Sequence, residues 1–463
     1  MKQLADPTQT LADGLGAIRI QYQVPGFFPP DVVAAAERAA LRTPSEHVDR
    51  TGWKFVTLDP ATSTDLDQAF VIDRDGSDLL LRYAIADVAW FVEDGDVIDA
   101  EAWRRGTTQY LPDGKAGLYP PVLSEGAASL LPDGPRPAVV FTVRVAPDGG
   151  VRLDGAERAL IRSRAKLAYD SVVDADLPEG FAELVERIQA AEHKRGAARV
   201  DPPEQEVSQR ADGSFELVFR PRLQSEDRNA ALSLATNLAI ADLLYAHHTG
   251  LFRVMAEPDD RAIFRLRQTA VAFGLAWPHS MPLSEFERGL DPADASQAAF
   301  MLAIRRAGKG ASYLPYDPAH IPWHSAMAAT YAHATAPLRR LADRYVVRAA
   351  LALANGQPVP EAVVAAFARL PKVMAAADAL GGQIERAVID LAEAVMLQAR
   401  IGEAFPAIVT DTDERGARIQ LRDLPVVARV AAQNAGPGDA LEVELIAVDL
   451  ARRTISFRTP PGL

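Results

Sequence analysis

Cysteine is missing from this sequence, and so is any excess of positive charge. Without cysteine, the 463 residues cannot form a disulfide, a thiolate zinc site or a cysteine nucleophile. The 49 basic and 62 acidic side chains give a formal net charge of −13, which excludes a uniformly basic protein that coats nucleic acid. A basic channel inside an acidic shell stays compatible with this total, because the local field matters more than the sum.

Long hydrophobic runs are absent as well. The N-terminal residues lack the apolar core of a signal peptide, and the most apolar long stretch, 230–246, is too short and too polar to span a bilayer. The composition is that of globular proteins, with 48% apolar and 24% charged residues. We therefore expect a soluble, cytoplasmic protein of roughly two to four domains, with no membrane partner.

The residue pattern changes along the chain and predicts an α+β fold in three parts. Residues 1–50 should form a small helical or winged-helix element, with a helix capped by Asp31 and ending near Arg42. Residues 51–400 begin with strand patterns and continue with helices, which is typical of a mixed sheet packed with helices. Residues 401–463 alternate apolar and polar side chains in five short strands, as in a small OB-type barrel.

Several elements of the central part can be predicted individually. Strands are expected at 55–58, 69–72, 79–92, 138–145 and 151–159, with a hairpin turn at 75–78. Helices are expected at 181–195, 230–247, 337–353 and 361–380. The helix over 230–247 is apolar nearly all round and should be buried, whereas Pro371 should kink or break the last helix.

The strongest chemical signal is a group of three carboxylates, Asp59, Asp65 and Asp67. In an extended segment Asp65 and Asp67 point the same way, and the loop before them lets Asp59 fold back beside them. Carboxylates this close repel one another unless a divalent cation neutralises them, and hard oxygen ligands suit Mg²⁺ or Mn²⁺. Such metals serve phosphoryl transfer. Acidic loops are also common as solvated turns, so the cluster alone leaves both interpretations open.

A second signal is a helix predicted to begin with Thr335 as its cap and Pro337 in its first turn. The N-terminus of a helix binds phosphate, and Arg339 in that first turn is favourable only beside an anion. Three further arginines lie at four-residue spacing and suit a solvated face paired with acids, namely Arg340, Arg344 and Arg348.

A third, weaker signal is a basic run just before Tyr169, made of Arg158, Arg162, Arg164 and Lys166. Basic residues beside an aromatic ring suit a single nucleic-acid strand whose bases stack on the ring. A tyrosine in this setting is more often part of the core, so the run alone does not decide between the two.

Five segments, in order, resemble the ribonuclease II family, whose catalytic unit is called the RNB domain. The family pattern of Asp, five residues and Asp-x-Asp-Asp-Ala corresponds here to Asp59 followed by Asp65-Leu-Asp67-Gln68-Ala69. The other segments read Ala84-Ile-Ala-Asp-Val-Ala89, Arg105-Gly-Thr-Thr-Gln-Tyr110-Leu-Pro112, Leu123-Ser-Glu-Gly-Ala-Ala-Ser-Leu130 and Tyr331-Ala-His-Ala-Thr-Ala-Pro-Leu-Arg339-Arg340. The barrel-like tail lies where the family has a C-terminal RNA-binding OB domain.

The resemblance implies a processive 3′→5′ exoribonuclease that hydrolyses single-stranded RNA to nucleoside 5′-monophosphates with Mg²⁺, or with Mn²⁺ in its place. It implies a metal centre at Asp59, Asp65, Asp67 and Gln68, with Asp67 and Arg339 catalytic. It also implies RNA contacts by Tyr110, Tyr169, Glu385 and Arg340. No protein partner is implied, and we expect a monomer.

Three features depart from the family pattern. Gln68 replaces the fourth aspartate, and because an amide is a weaker ligand, we expect a raised Mg²⁺ requirement that Gln68→Asp would relieve. The helix over 229–237 lacks the glutamate pair of relatives. The first fifty residues are too few for the two cold-shock-type domains that relatives place there, so RNA must enter differently. The tail has seven arginines and nine acids, and only Phe405 and Phe457 are expected to offer aromatic faces to RNA, which suggests a modest RNA clamp.

Two other functions remain open. One is an RNA-binding protein on a catalytically weakened RNB scaffold, which Gln68 supports and the retention of the three aspartates and Arg339 opposes. The other is a metal phosphodiesterase for a small nucleotide. The appended barrel and the long basic segments fit a polymeric substrate better.

Overall fold

The computed structural model describes residues 4–5, 10–197, 204–210, 214–220, 222–291, 294–308, 310–413, 416–431 and 435–460. The strands are β1 (Leu4–Ala5), β2 (Val48–Asp49), β3 (Val56–Asp59), β4 (Gln68–Asp75), β5 (Asp78–Ala86), β6 (Gln109–Leu111), β7 (Gly114–Ala116), β8 (Arg136–Val145), β9 (Val151–Ile161), β10 (Ala165–Ala168), β11 (Glu204–Gln209), β12 (Phe215–Arg220), β13 (Leu251–Met255), β14 (Ala311–Pro315), β15 (Trp323–His324), β16 (Ala329–Thr330), β17 (Ala404–Asp413), β18 (Gly416–Leu421), β19 (Val427–Ala431), β20 (Ala440–Asp449) and β21 (Thr454–Arg458).

The helices are α1 (Thr10–Gln21), α2 (Pro30–Ala40), α3 (Val88–Phe91), α4 (Val97–Arg105), α5 (Phe181–Arg195), α6 (Gln224–Ala246), α7 (Asp260–Ala272), α8 (Leu283–Arg288), α9 (Ala295–Ala307), α10 (Leu341–Ala354) and α11 (Glu361–Leu397). The α+β fold class is therefore confirmed. None of the described helices is both long enough and apolar enough to cross a bilayer.

A seven-stranded sheet forms the centre of the molecule, in the order β10-β3-β4-β5-β8-β9-β2. Its strands are antiparallel except for two edge pairs, β10 with β3 and β2 with β9. In the first pair Ala168 lies opposite Asp59, so Tyr169 follows directly beside that carboxylate. The predicted hairpin is confirmed, because β4 ends at Asp75 and β5 begins at Asp78.

One strand prediction is too long. The strand expected over 79–92 ends at Ala86, because Asp87 leaves the extended conformation and begins the short helix α3. Val88 and Phe91 of α3 are buried like the apolar residues of the strand, which is why the sequence pattern does not mark the change.

The helix predictions hold best where the apolar pattern is strong. Helix α5 has the predicted bounds, and α6 is buried as expected, although it begins at Gln224. Helix α11 runs without a break through Pro371, so of the two predicted outcomes, a kink or a break, the break is wrong. Proline removes one helical hydrogen bond. Leu370 and Met374 on either side of it are fully buried, and their packing holds the helix together across that position.

The predicted helix start at Pro337 is wrong. Helix α10 begins at Leu341, so Thr335 does not cap it and Arg339 does not lie in its first turn. Residues 337–339 form a turn, and Arg340 after it is extended and forms a short bridge with Thr107. The segment that carries Arg339 is thus a loop that pairs with another part of the chain.

The N-terminal element is helical. Helix α2 begins at Pro30, with Asp31 in its first turn and not at the cap. Helix α1 was not expected, since Gly14 and Gly16 lower its intrinsic helix propensity. A side chain at position 14 would clash with Leu391, so this glycine lets α1 approach α11 closely.

The last part is a closed five-stranded barrel in the order β17-β18-β19-β21-β20, which confirms the OB-type prediction. Its interior includes the alternating residues Ala417, Ile419 and Leu421. Phe405 and Phe457 are only 3% and 6% exposed, with ring centroids 6.1 Å apart. The expectation that they offer faces to RNA is wrong, because both rings fill the barrel core.

Candidate active site

The acidic loop between β3 and β4 is fixed by the neighbouring segment 123–130. The Ser129 hydroxyl accepts a hydrogen bond from the N–H of Leu66 at 2.9 Å and donates one to the carbonyl of Thr64 at 2.7 Å. The N–H of Leu130 donates to the Leu66 carbonyl at 2.9 Å. Leu66 itself is fully buried. These bonds fix the backbone between Asp65 and Asp67.

The Arg339 loop is fixed by the segment after helix α4. The Arg339 carbonyl accepts from the N–H of Thr108, and the Gly106 carbonyl accepts from the N–H of Leu341, both at 3.0 Å. Gly106 has a φ of 70°, and a Cβ there would lie 2.8 Å from the Cβ of Ala377. Only glycine fits this position without strain.

Two buried side chains support the same loop from the other side. The Asn237 side-chain carbonyl accepts from the N–H of Ala334 at 2.9 Å, and a carboxylate oxygen of Asp343 accepts from the N–H of Ala336 at 2.8 Å. Loop N–H groups that would otherwise be buried without partners are thereby satisfied. The loop is therefore a rigid carrier for Arg339.

The acidic loop and the Arg339 loop meet at Asp67. One Asp67 oxygen accepts from the N–H of Leu338 at 2.7 Å, and the other lies 3.7 Å from Nε of Arg339. Asp67 is 5% exposed, whereas the Arg339 side chain is 45% exposed. The carboxylate thus forms the floor of the site, and the guanidinium reaches toward solvent, where a phosphate could bind it.

Burial dominates the electrostatics of this floor. It raises the pKa of Asp67 to about 8 and the pKa of Asp59 to about 6. The positive charge of Arg339 lowers both pKa values, and the charge of Asp65 raises that of Asp59. The structure therefore brings Asp59, Asp65, Asp67 and Arg339 into one interacting group. For Asp59 and Asp67, the positive charge of Arg339 does not outweigh the effect of burial.

Asp65 has a cationic partner that the sequence did not indicate. Its carboxylate lies 2.8 Å from the Lys115 ammonium, which also lies 3.1 Å from Glu125. Lys115 pairs across the β6–β7 hairpin with Tyr110, and the Tyr110 hydroxyl also bonds to Asp65. One short hairpin therefore places an ammonium and a phenol on the same carboxylate.

Gln68 uses both ends of its amide inside the protein. Its oxygen accepts from the buried Tyr83 hydroxyl, and its Nε2 donates to the Thr335 carbonyl at 2.7 Å. The amide therefore ties strand β4 to the Arg339 loop. This arrangement argues against the predicted role of Gln68 as a metal ligand.

The remaining acids fit a divalent cation in chemistry but not as a ready-made cage. Among the described residues, no group of three or more histidine, aspartate or glutamate side chains is arranged to hold a metal ion. Asp59 and Asp67 provide hard oxygen donors with too little compensating charge, which suits a cation such as Mg²⁺. A cation held by these two side chains would need further ligands from water or from substrate.

Of the predicted RNA contacts, Tyr110 and Tyr169 lie beside these carboxylates. Tyr110 is 57% exposed, and Glu385 is exposed on α11. The Tyr169 hydroxyl accepts a hydrogen bond from the Asn229 side chain at 2.9 Å. The backbone N–H of Tyr169 donates to the Asp59 carbonyl at 3.1 Å. Tyr169 is therefore placed beside the carboxylates, as a ring that stacks on a terminal base would need to be.

The arginine stripe is paired with acids, as expected. Arg340 forms two hydrogen bonds with Asp343, at 2.9 and 2.7 Å, and the other two pairs are Arg344 with Asp99 and Arg348 with Asp94. The expectation of a solvated face is wrong for Arg344, which is 1% exposed. Its charge is buried because Asp99 neutralises it and Tyr345 shares the hydrogen bonding.

Sequence reasoning missed three residues of this site, Lys115, Ser129 and Asn229. Ser129 belongs to the segment 123–130 that resembles the family, but nothing in the sequence shows that its hydroxyl bridges two parts of the acidic loop. Lys115 could have been suspected from its position just after the Pro112-Asp-Gly turn, opposite Tyr110. Asn229 appears only as one polar residue in a helix.

Comparison with known proteins shows relatives along nearly the whole chain. The chain is 26% identical to Ribonuclease R of Aquifex aeolicus, over 87% of this chain and 61% of the relative. It is 26% identical to Ribonuclease R of Escherichia coli, over 98% and 64%, and 28% identical to Exoribonuclease 2 of Serratia proteamaculans, over 87% and 65%. The chain thus spans a little over three fifths of the length of these relatives.

Solved structures share the fold. Mycoplasma genitalium RNase R in complex with ribose-methylated single-stranded RNA superposes with a TM-score of 0.87 at 20% identity, covering 97% of this chain and 78% of that one. Yeast Ssd1, described as a pseudonuclease, gives a TM-score of 0.68 at 16% identity, covering 99% and 59%.

Family models match both large parts of the chain. Residues 48–355 match the RNB domain, and residues 403–459 match the RNase II-type exonuclease C-terminal S1 domain. RNB exoribonucleases depend on a divalent metal. With the ordered motifs, the fold and the two matched models in agreement, the chain belongs to the RNB, or ribonuclease II, family.

Proposed function

We propose that this chain is a processive 3′→5′ exoribonuclease that hydrolyses single-stranded RNA to nucleoside 5′-monophosphates with Mg²⁺, for which Mn²⁺ can substitute. The observation that carries the proposal is the meeting of the two loops, with Asp67 bound to the N–H of Leu338 and 3.7 Å from Arg339. A buried carboxylate beside an accessible guanidinium suits a site where a phosphate is held next to a metal ligand.

The residues take the following roles. Asp59 and Asp67 would hold the cation, which when bound activates water and neutralises charge on the phosphate. Arg339 binds the scissile phosphate through its exposed guanidinium. Tyr169 and Tyr110 offer ring faces to the bases, and Glu385 lies toward the 3′ end. Because stacking tolerates any base, degradation is independent of sequence.

Three predicted roles change with the geometry. Arg340 was expected to contact RNA, but its guanidinium is bound by Asp343, so its first role is to support the Arg339 loop. Asp65 is bound by Lys115, which limits its part in holding a metal. Gln68 is assigned to the same supporting role as Arg340.

The proposal also includes the division of the chain into an N-terminal helical element at 1–50, a catalytic domain at 51–400 and an RNA-binding barrel at 401–463. The chain would act as a cytoplasmic monomer without a protein partner. Helix α1 is tied to the β6–β7 hairpin by two hydrogen bonds from Arg19 to Asp113, at 2.9 and 2.8 Å. The N-terminal element would therefore help to shape the RNA path.

A specific observation favours a second candidate, an RNA-binding protein without useful catalysis. The amide of Gln68 and the ammonium of Lys115 both reduce the negative charge available to cations. The two candidates separate in one assay, in which 5′-labelled single-stranded RNA is incubated with Mg²⁺ or EDTA. An exoribonuclease shortens the RNA stepwise with Mg²⁺ only. Tight binding of RNA that stays at full length would support the second candidate.

A further inference from the structure

The acidic centre has less negative charge than the family pattern implies. That pattern has four aspartates, and this chain has three, with Gln68 in the fourth position. Two divalent cations next to an anionic substrate need several carboxylates to hold them. The question is therefore how many cations the remaining groups can hold.

Lys115 already supplies a positive charge at this centre. Its ammonium lies between Asp65 and Glu125, at 2.8 and 3.1 Å, and the second oxygen of Glu125 accepts from the Thr64 hydroxyl at 3.0 Å. The side chains of Lys115 and Asp65 are 23% and 12% exposed, so solvent screens their attraction only in part. Asp65 is thus neutralised by the chain itself.

Gln68 cannot easily replace the missing carboxylate. The Gln68 oxygen has two lone pairs, of which one already accepts from the Tyr83 hydroxyl, and the bond from its nitrogen to the Thr335 carbonyl fixes the direction of the other. Turning the amide toward a cation would break both bonds and leave the buried Tyr83 hydroxyl without its partner.

We propose that this centre holds one divalent cation, on Asp59 and Asp67, and that the Lys115 ammonium supplies to Asp65 the charge that a second cation would supply. The proposal rests on the proposed function and deepens it. Lys115 is a positioning residue, since it acts on a carboxylate and not on RNA. Removing its charge frees Asp65 and Glu125 together, and two free carboxylates recruit a second cation.

The test counts bound Mn²⁺ by the loss of the free-ion electron paramagnetic resonance signal, in the presence of a 2′-O-methylated single-stranded RNA as probe. The variants are Lys115→Met, which removes the charge at similar length, and Lys115→Arg, which keeps it. Lys54→Met is the matched control, because Lys54 is exposed and contacts none of these acids. We expect one Mn²⁺ per complex for the wild type, Lys115→Arg and Lys54→Met, and two for Lys115→Met.

Two Mn²⁺ in the wild type, or none, would overturn the proposal. One Mn²⁺ in Lys115→Met would overturn the role of Lys115. The same preparations are assayed for shortening of unmodified RNA, and that result tests the proposed function separately. A wild type that binds one Mn²⁺ but leaves RNA intact would contradict the exoribonuclease assignment and leave the cation count standing.

Discussion

The acidic centre and the C-terminal barrel differ in what they present to RNA. The centre buries Asp67 but exposes Arg339 and the Tyr110 ring. In the barrel, by contrast, both aromatic residues, Phe405 and Phe457, lie in the interior. Under the proposed function, stacking on bases would fall to the RNB part, and the barrel would bind RNA through charge and backbone groups. The two regions should therefore respond differently to mutation and to salt.

Two arginines of the barrel, Arg452 and Arg453, line a cleft where the barrel meets α11 and the end of α1. The cleft has a volume of about 420 Å³ and is lined in part by Arg386, Arg452, Arg453 and Tyr22, with Asp390 among them. Arg453 also donates to the Gln21 side chain of α1 at 2.7 Å. Its three arginines suit contacts with RNA phosphates, and we propose this cleft as the RNA entry path.

The largest loss of RNA hydrolysis should come from substitution of Asp67 at the floor of the site. Asp67→Asn should reduce RNA hydrolysis at least about a hundredfold, because the amide cannot supply the charge that a cation needs. RNA affinity should stay within about twofold, since Asp67 is buried and does not face the strand. Single-turnover hydrolysis and filter binding measure the two quantities. Asp133→Asn, at an exposed acid, is the control, and normal turnover by Asp67→Asn would place the chemistry elsewhere.

Substitution of Gln68 should lower the rate of RNA hydrolysis less than Asp67→Asn does. The sequence alone suggested that Gln68→Asp would lower the Mg²⁺ requirement, but a carboxylate cannot donate to the Thr335 carbonyl. Losing that bond costs about 1–3 kcal/mol, so Gln68→Asp and Gln68→Glu should lower kcat roughly tenfold to a hundredfold without changing KM. The Mg²⁺ concentration for half-maximal rate should not fall.

The control for this prediction is Tyr83→Phe, which removes only the bond to the Gln68 oxygen and should lower kcat less. If the Gln68→Asp variant reaches full rate at lower Mg²⁺ than the parent, then position 68 does face the metal. The positioning role would then be wrong.

Substitutions in the cleft beside the barrel should change the salt dependence of RNA binding more than the rate of RNA hydrolysis. Replacing Arg386, Arg452 and Arg453 by glutamine should weaken binding of long RNA and reduce the slope of log affinity against log salt by about two, since each phosphate contact contributes about 0.7. Hydrolysis of a four-nucleotide RNA should be unchanged. A matched triple variant at the exposed arginines Arg42, Arg74 and Arg152 should leave the slope as it is. An unchanged slope in the first variant would exclude the cleft as the entry path.

The smallest effect concerns the junction between the two regions. Glu393 of α11 accepts from Gln205 at 2.8 Å and from the N–H of Val427 in the barrel at 3.0 Å, and burial raises its pKa to about 8. A raised pKa in the folded state means that stability is lost as the pH rises from the ordinary glutamate value through 8. Glu393→Gln should remove this loss, so its Tm should fall less than that of the wild type between about pH 6 and 9. Parallel Tm curves would refute this.

The sequence was a good guide to the elements and a poor guide to their partners. The period-2 patterns predicted the barrel and most of the central sheet, because alternate burial decides which residues a strand can carry. The start of α10 was missed, since the bridge between Arg340 and Thr107 joins residues far apart in the chain. Pro371 does not break α11, because the packing of a long helix outweighs one lost bond.

The same limit applies to the site. The motifs identified Asp59, Asp65, Asp67 and Arg339 because their residue types are tied to the chemistry. The engagement of Gln68 could not be inferred, since Tyr83 and Thr335 contact it from two other parts of the chain. Sequence patterns thus identify reactive groups more reliably than the groups that hold them in place.

The central claim is that the pocket of Asp67 and Arg339 removes nucleotides from the 3′ end of RNA. It is tested most directly by giving the wild type and Arg339→Ala a single-stranded RNA labelled in its last nucleotide, with Mg²⁺, and identifying the first labelled product by chromatography. We predict labelled nucleoside 5′-monophosphate from the wild type at the earliest time points and at least about a hundredfold less from the variant. Labelled oligonucleotide fragments, a labelled nucleoside without phosphate or equal rates for both proteins would contradict the account.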